Sequence, residues 1–154
     1  MLKICTFGDF DIKRDGESIL NNANYPYRLI KLFKYLLTFK DKKLTPERII
    51  DDLWSEEYFI DPKKVLRTQI SRLRKGIKTG DGDHVFFEIV FSYGYYIFHL
   101  NNEEVLLDVD IFEKAIEKGN RLVEENLKEA ISEYKEALSM YKEDSLWIIN
   151  KMKD

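Results

Sequence analysis

Lys64, Arg67, Thr68, Ser71, Arg72, Arg74, Lys75 and Lys78 are the residues of this 154-residue chain best suited to chemistry, and that chemistry is the binding of anions. Between Lys63 and Lys78 there are seven Lys or Arg and no Asp or Glu. Wound at about 3.6 residues per turn, Leu66, Ile70, Leu73 and Ile77 fall on one narrow apolar face, and the polar set covers the other side. An ordinary solvated face mixes signs to gain i,i+4 pairs, and that is the plainer reading of any basic helix. This face carries one sign only, so it repels itself unless it meets anions. Asp61 and Pro62 fit N-cap and N1, where a side-chain oxygen satisfies an orphan N–H and proline loses nothing by lacking one. The spacing therefore predicts a helix over 62–78 with its cations outward.

Other chemistries find little material. Cys5 is the only cysteine, which excludes an internal disulfide and a multi-cysteine metal site; alone it suits a strand in the core. His84 and His99 are the only histidines, and no carboxylate pattern around them suggests a zinc site or a nucleophile with its base. Paired carboxylates and a glycine-rich phosphate loop are missing too, so the expectation is a protein that is not an enzyme and takes no cofactor or metal. No apolar run approaches the ~20 residues that cross a bilayer, and the first residues lack an export pattern, so a cytoplasmic protein without membrane contact is expected.

With 44% hydrophobic and 14% aromatic residues the chain can build a packed core. Its net charge of -3 hides an asymmetry. Residues 1–100 hold 17 Lys/Arg against 14 Asp/Glu, whereas residues 101–154 hold 8 against 14. The acidity belongs to the tail, and a boundary near Asn101 and Asn102 follows.

The basic helix must be held by something, and the chain before it supplies the support. Strands are expected at 2–7, 10–14 and 17–20, the last two joined by the tight-turn pair Asp15-Gly16, followed by a polar loop at Asn21, Asn22 and Asn24. From Pro26 to about Lys40, Leu29, Phe33, Leu36 and Leu37 make a buried stripe, with Lys31, Lys34 and Thr38 outside. Thr45-Pro46-Glu47 opens a second helix that turns Ile49, Ile50, Leu53 and Trp54 inward and ends near Trp54. Three helices in succession with the most basic last suit a helix-turn-helix derivative. Behind the loop 79–83, runs at 85–91 and 95–98 joined at Ser92-Tyr93-Gly94 predict a β-hairpin, for whose Phe86, Phe87, Phe91, Tyr96 and Phe98 packing is the expected role.

From Asp108 the texture becomes helical. Two capping boxes, Asp110 with Glu113 and Asn126 with Glu129, predict two helix starts. Ala130, Tyr134, Ala137, Leu138 and Tyr141 line one side of the second, and an antiparallel hairpin is expected.

Val65 to Arg74, V-L-R-T-Q-I-S-R-L-R, resembles the third helix of OmpR/PhoB-type winged-helix domains, and Gly94-Tyr95-Tyr96-Ile97 resembles the glycine-tyrosine pair near the tip of their wing. Where that family commonly carries arginine and glycine before the pair, this chain has Phe91 and Ser92, which leaves Ser92 or Tyr93 to touch a DNA backbone. Asp108 to Glu113 and Ala137-Leu138-Ser139-Met140-Tyr141 resemble the opening of the bacterial transcriptional activator domain, a tetratricopeptide-like array. Together these stretches resemble the antibiotic-regulatory-protein-like (SARP-like) regulators of bacteria. The implied class is α+β, a winged helix of N-terminal antiparallel sheet, three helices and hairpin wing over 1–100, then a short all-α hairpin over 108–154. Stacked repeats need about three units, so either the array is truncated or Ser145 to Asp154 forms a capping helix through Leu146, Trp147 and Ile149.

The resemblance implies a sequence-specific transcription regulator, kin to two-component response regulators, with helix 62–78 in the major groove of double-stranded DNA and a signal-receiving or activator portion missing or external. Family alignment and helical wheel together put Arg67, Thr68 and Arg72 at base edges and Lys64, Ser71, Arg74 and Lys75 on phosphates, with Arg28 and Lys31 as further phosphate contacts. RNA polymerase and a second protomer on direct repeats are the implied protein partners. Two rivals remain: an adaptor whose basic face grips an acidic protein, and single-stranded RNA binding through Tyr93, Gly94, Tyr95 and Phe98, which fit part of an aromatic RNA-stacking motif.

Overall fold

The computed structural model describes residues 1–22, 25–76 and 86–140. Ile77, Lys78, the loop 79–83, His84, Val85, Tyr141 and the segment 145–154 lie outside them. In chain order the elements are β1 (Leu2–Cys5), β2 (Asp11–Arg14), β3 (Glu17–Ser18), α1 (Ile19–Asn22), α2 (Tyr27–Thr38), α3 (Pro46–Trp54), α4 (Pro62–Gly76), β4 (Phe87–Ser92), β5 (Tyr95–Leu100), β6 (Val105–Leu107), α5 (Asp108–Leu122) and α6 (Leu127–Met140). Among the described residues, no helix is long and apolar enough to cross a membrane.

By contact the chain forms two compact units, Met1–Ala23 with Val105–Asp154, and Asn24–Glu104. In the first, β1 pairs antiparallel with β2 and β2 with β3, with Asp15 (φ 49) and Gly16 (φ 87) making the left-handed two-residue turn. Leu2, Ile4 and Ile12 are buried, the alternation that a half-covered sheet requires. Two features depart from the sequence reading. Ile19 and Leu20 turn into a helical turn rather than extending the third strand, and β6 adds a fourth strand parallel to β1, with Leu2 opposite Val105 and Ile4 opposite Leu107. The second unit ends at Glu104, close to the boundary read near residue 101, while residues 1–23 group with the part of the chain that follows it.

The entry to α5 also differs. The buried Asp108 carboxylate accepts from Thr6 N at 2.7 Å, from Phe7 N at 3.1 Å and from the Thr6 hydroxyl. The helix starts at Asp108, so Asp110 lies within its first turn and is not the N-cap. The second box holds: Glu129 N donates to Asn126 Oδ1 at 3.2 Å and Asn126 Nδ2 to Glu129 Oε2 at 3.1 Å. α5 and α6 form the expected hairpin, tied by Tyr134 Oη donating to Asn120 Oδ1 at 2.5 Å and by a Lys118–Glu133 ion pair at 2.8 Å. Ala130 and Ala137 are buried, but Leu138, one step of about 100° further round the helix, is exposed rather than on the packed side.

In the second unit, Leu29, Leu32, Phe33, Leu36 and Leu37 of α2 are buried, and Ile49, Leu53 and Trp54 of α3 join them. Ile50 is only half-buried. Thr45 caps α3 by accepting from Arg48 N at 3.1 Å, with Pro46 at the first position. Phe33 meets Phe98 edge-on at 5.8 Å, so the core runs continuously from α2 into the hairpin.

Candidate nucleic-acid interface

α4 begins where its sequence marks it: Lys64 N donates to Asp61 Oδ1 at 3.1 Å, and Pro62 is the first helical residue. Leu66, Gln69, Ile70 and Leu73 are buried, which fixes the rotation of the helix and turns its cations away from the core. Lys64, Arg67, Thr68, Arg72 and Lys75 are exposed and Ser71 is half-buried. These six line one shallow open groove along the outer surface of α4. The Thr68 hydroxyl donates back to the Lys64 carbonyl at 3.0 Å, leaving its methyl and lone pairs for an incoming group.

The remaining sequence candidates have intramolecular partners. Arg74 turns toward the hairpin and donates from its guanidinium to the Ile89 carbonyl at 2.6 Å. Arg28 pairs with Glu57 at 3.2 Å and lies over the Phe59 ring at 5.1 Å. Lys31 donates to the Leu53 carbonyl at 3.0 Å, near the negative end of α3.

The hairpin is a tight one. β4 and β5 pair in register from Phe87 opposite Leu100 to Ser92 opposite Tyr95. Tyr93 (φ 51) and Gly94 (φ 81) form the turn, both left-handed, as a two-residue connection between right-twisted strands requires. Tyr93 is 98% exposed at the tip, and Ser92 beside it is exposed. Leu44 and Tyr96 exchange backbone hydrogen bonds of 2.9 and 2.7 Å, so the segment before α3 lies along β5 and anchors it. Phe91 corrects the expectation that it packs inside: it is 54% exposed and covers the Tyr96 ring at 4.6 Å from the solvent side.

Two residues that sequence reasoning left out of the site stand beside it. Lys63 reaches back to Glu47 at 2.7 Å, a hydrogen bond that lowers the pKa of the Glu47 carboxyl below its ordinary value. Tyr96, a buried residue of β5, lines a hollow between α4 and the hairpin together with Lys63, Arg67, Arg74 and Phe91. Burial raises its pKa, against smaller opposing effects of Arg74 and Arg67, so the phenol keeps its proton and remains a donor. Spacing along a strand could not mark it, because its neighbours in the hollow come from another element.

Residues 22–97 match the family described as "Transcriptional regulatory protein, C terminal". No curated protein sequence matches the chain. Among solved structures, Mycobacterium tuberculosis EmbR, in complex with a low-affinity phosphopeptide, is similar at 15% identity with a TM-score of 0.71 over 92% of this chain. This chain spans 35% of that one. The DNA-binding domain of E. coli CadC is similar at 22% identity over 64% of this chain and 89% of that one, with a TM-score of 0.46.

Proposed function

We propose that this chain, whose residues 22–97 are a winged-helix domain of the transcriptional regulatory C-terminal family, is a sequence-specific DNA-binding regulator that inserts α4 into the major groove. The observation that carries this is the outer groove of α4: Lys64, Arg67, Thr68, Ser71, Arg72 and Lys75 face solvent together with no carboxylate among them. Cations in such a row meet phosphates spaced along a duplex, and each one neutralised releases counterions, which supplies affinity. Arg67, Thr68 and Arg72, near the middle of the row, read base edges, while Lys64, Ser71 and Lys75 hold the backbone at its borders. Arg28 and Lys31, already bonded within the protein, add a phosphate contact only through donors left over from those bonds.

The likeness in fold to EmbR over nearly the whole chain supports reading it as a SARP-like regulator with 1–100 as the DNA-binding portion and 108–154 as the start of a helical activator portion. That second portion is acidic, so DNA repels it and it serves a protein partner, either RNA polymerase or a second protomer on a direct repeat. The protein works in the cytoplasm and by binding alone. The wing tip, Ser92 and Tyr93, carries no charge and lies against the backbone or the minor groove by its exposed ring.

Selection of bound duplexes from a random pool tests the proposal. Enrichment of one motif that resists random competitor DNA is the expected result. Retention that any polyanion displaces equally would favour instead an adaptor for an acidic protein, a reading the uncharged wing supports.

A further inference from the structure

The connector between α3 and α4 presents two apolar side chains to solvent while its other residues are held down. Phe59 meets Trp54 edge-on at 5.8 Å and lies under the Arg28 guanidinium at 5.1 Å, and Arg28 in turn pairs with Glu57 at 3.2 Å. Asp61 is fixed by capping α4, its carboxylate accepting from Lys64 N at 3.1 Å. Between these anchors Ile60 is 95% exposed, and Tyr58 is 91% exposed. An isoleucine held on both sides is stiff, because its β-branch limits rotation about χ1, so it meets a partner at little cost in entropy. Tyr58 and Ile60 line a hollow of about 570 Å³ along one flank of α4, and Lys64, Thr68 and Arg72 line both this hollow and the outer groove. The apolar lip is therefore continuous with the row of cations. A protein seated on Ile60 in that hollow would also cover Thr68 and Arg72 and take them from the duplex, so one partner serves lip and row together.

We infer that Ile60 is a specificity-determining residue that packs against the C5-methyl group of a thymine in the major groove, beside the base edges read by Thr68 and Arg72. The inference deepens the DNA-binding reading and rests on it. Ile60 stands immediately before the capping residue Asp61, at the end of a helix whose first residues are the ones a helix-turn-helix brings to base edges. Its side chain offers neither charge nor hydrogen bond, which leaves thymine as the base it can favour, because the methyl is the apolar mark displayed in the major groove. A cytosine amino group in the same place would lose its water and gain no partner. Removing the two apolar surfaces from water supplies the preference, and Tyr58 adds apolar surface to the same hollow.

The test compares the whole chain with its Ile60→Ala and Ile60→Val variants on the selected duplex, on random DNA, and on the selected duplex with each thymine replaced in turn by uracil, which lacks only the methyl. A side chain 95% exposed carries little of the folding energy, so both variants should fold. Ile60→Ala should bind the selected duplex roughly fourfold more weakly, bind random DNA as wild type does, and keep the salt slope, because no charge is removed. Ile60→Val should keep most of the preference. One uracil position should weaken wild type by a similar factor and leave Ile60→Ala unaffected. An Ile60→Ala variant that binds the selected duplex as wild type does, an equal loss on random DNA, or no uracil position that distinguishes the two proteins overturns the role of Ile60. Unchanged DNA binding with loss of polymerase-dependent transcription from that duplex overturns it too, and makes the connector a protein-contact face. A wild-type chain that selects no duplex overturns the DNA-binding reading itself, and this contact with it.

Discussion

The guanidinium of Arg74 donates to the carbonyl of Ile89 at 2.6 Å, so the helix proposed to enter the groove is fastened to the first strand of its wing by a single charged donor. Removing that donor leaves a part-buried carbonyl without its partner. Arg74→Met, which keeps most of the stem, should lower stability by about 1–2 kcal/mol in urea unfolding. Amide exchange should quicken along β4 and β5. Lysine at 74 should rescue poorly, because its ammonium lacks the planar fork that spans the gap. An unchanged midpoint with unchanged exchange would mean that the bond fastens nothing.

Arg72 and Lys75 lie in the same outer groove yet should respond differently to removal. Arg72→Ala should cost about 1–3 kcal/mol at one base position and relax the preference there. Lys75→Ala should weaken every duplex alike and reduce the salt slope by about one unit. Titrations on the selected duplex, its single-base variants and random DNA separate the two, and equal losses on all of them would remove the division of roles.

What the sequence made legible follows from the range of the forces involved. Helices α3 and α4 could be placed from their starts, because Thr45 and Asp61 cap within three residues of themselves and Pro46 and Pro62 follow them. The outward cations of α4 were legible for the same reason, since a helix repeats locally. β6 was not legible: Val105 to Leu107 is short, and its partner β1 lies about a hundred residues earlier. Asp108 misled the helix start because its carboxylate serves Thr6 and Phe7 rather than its own first turn, so Asp110 looked like the better cap. Arg28, Lys31 and Arg74 show the same limit. Their charge was visible, but Glu57, Leu53 and Ile89, which engage them, are brought near only by tertiary folding.

Asp108 joins the start of α5 to the end of β1 through three acceptor bonds, two of them from backbone N–H groups. Thr6 and Asp108 are both buried, so water cannot replace the carboxylate. Asp108→Asn should destabilise by about 1–3 kcal/mol, since the amide presents N–H where the backbone already donates. Asp108→Ala should cost more, removing the acceptor of all three bonds from a nearly dry site. Thermal melts of the two variants order them, and an alanine variant no less stable than the asparagine one would contradict this account.

Gly119 faces the ring of Tyr134, and a Cβ built there would come within 2.6 Å of a ring carbon and 2.9 Å of two more. Two effects compete in Gly119→Ala. Alanine favours the helix by about 1 kcal/mol over glycine, whereas overpacking costs about 1–3 kcal/mol. The clash should win, because the ring is not free to swing: its hydroxyl is held by Asn120 at 2.5 Å. Gly119→Ala should therefore lower the melting temperature, although the same change at an open helical position would raise it. In a Tyr134→Ala background the obstacle is gone and Gly119→Ala should be stabilising. A double-mutant cycle with that change of sign is the expected result; additive effects would show that α5 and α6 are not held together at this pair.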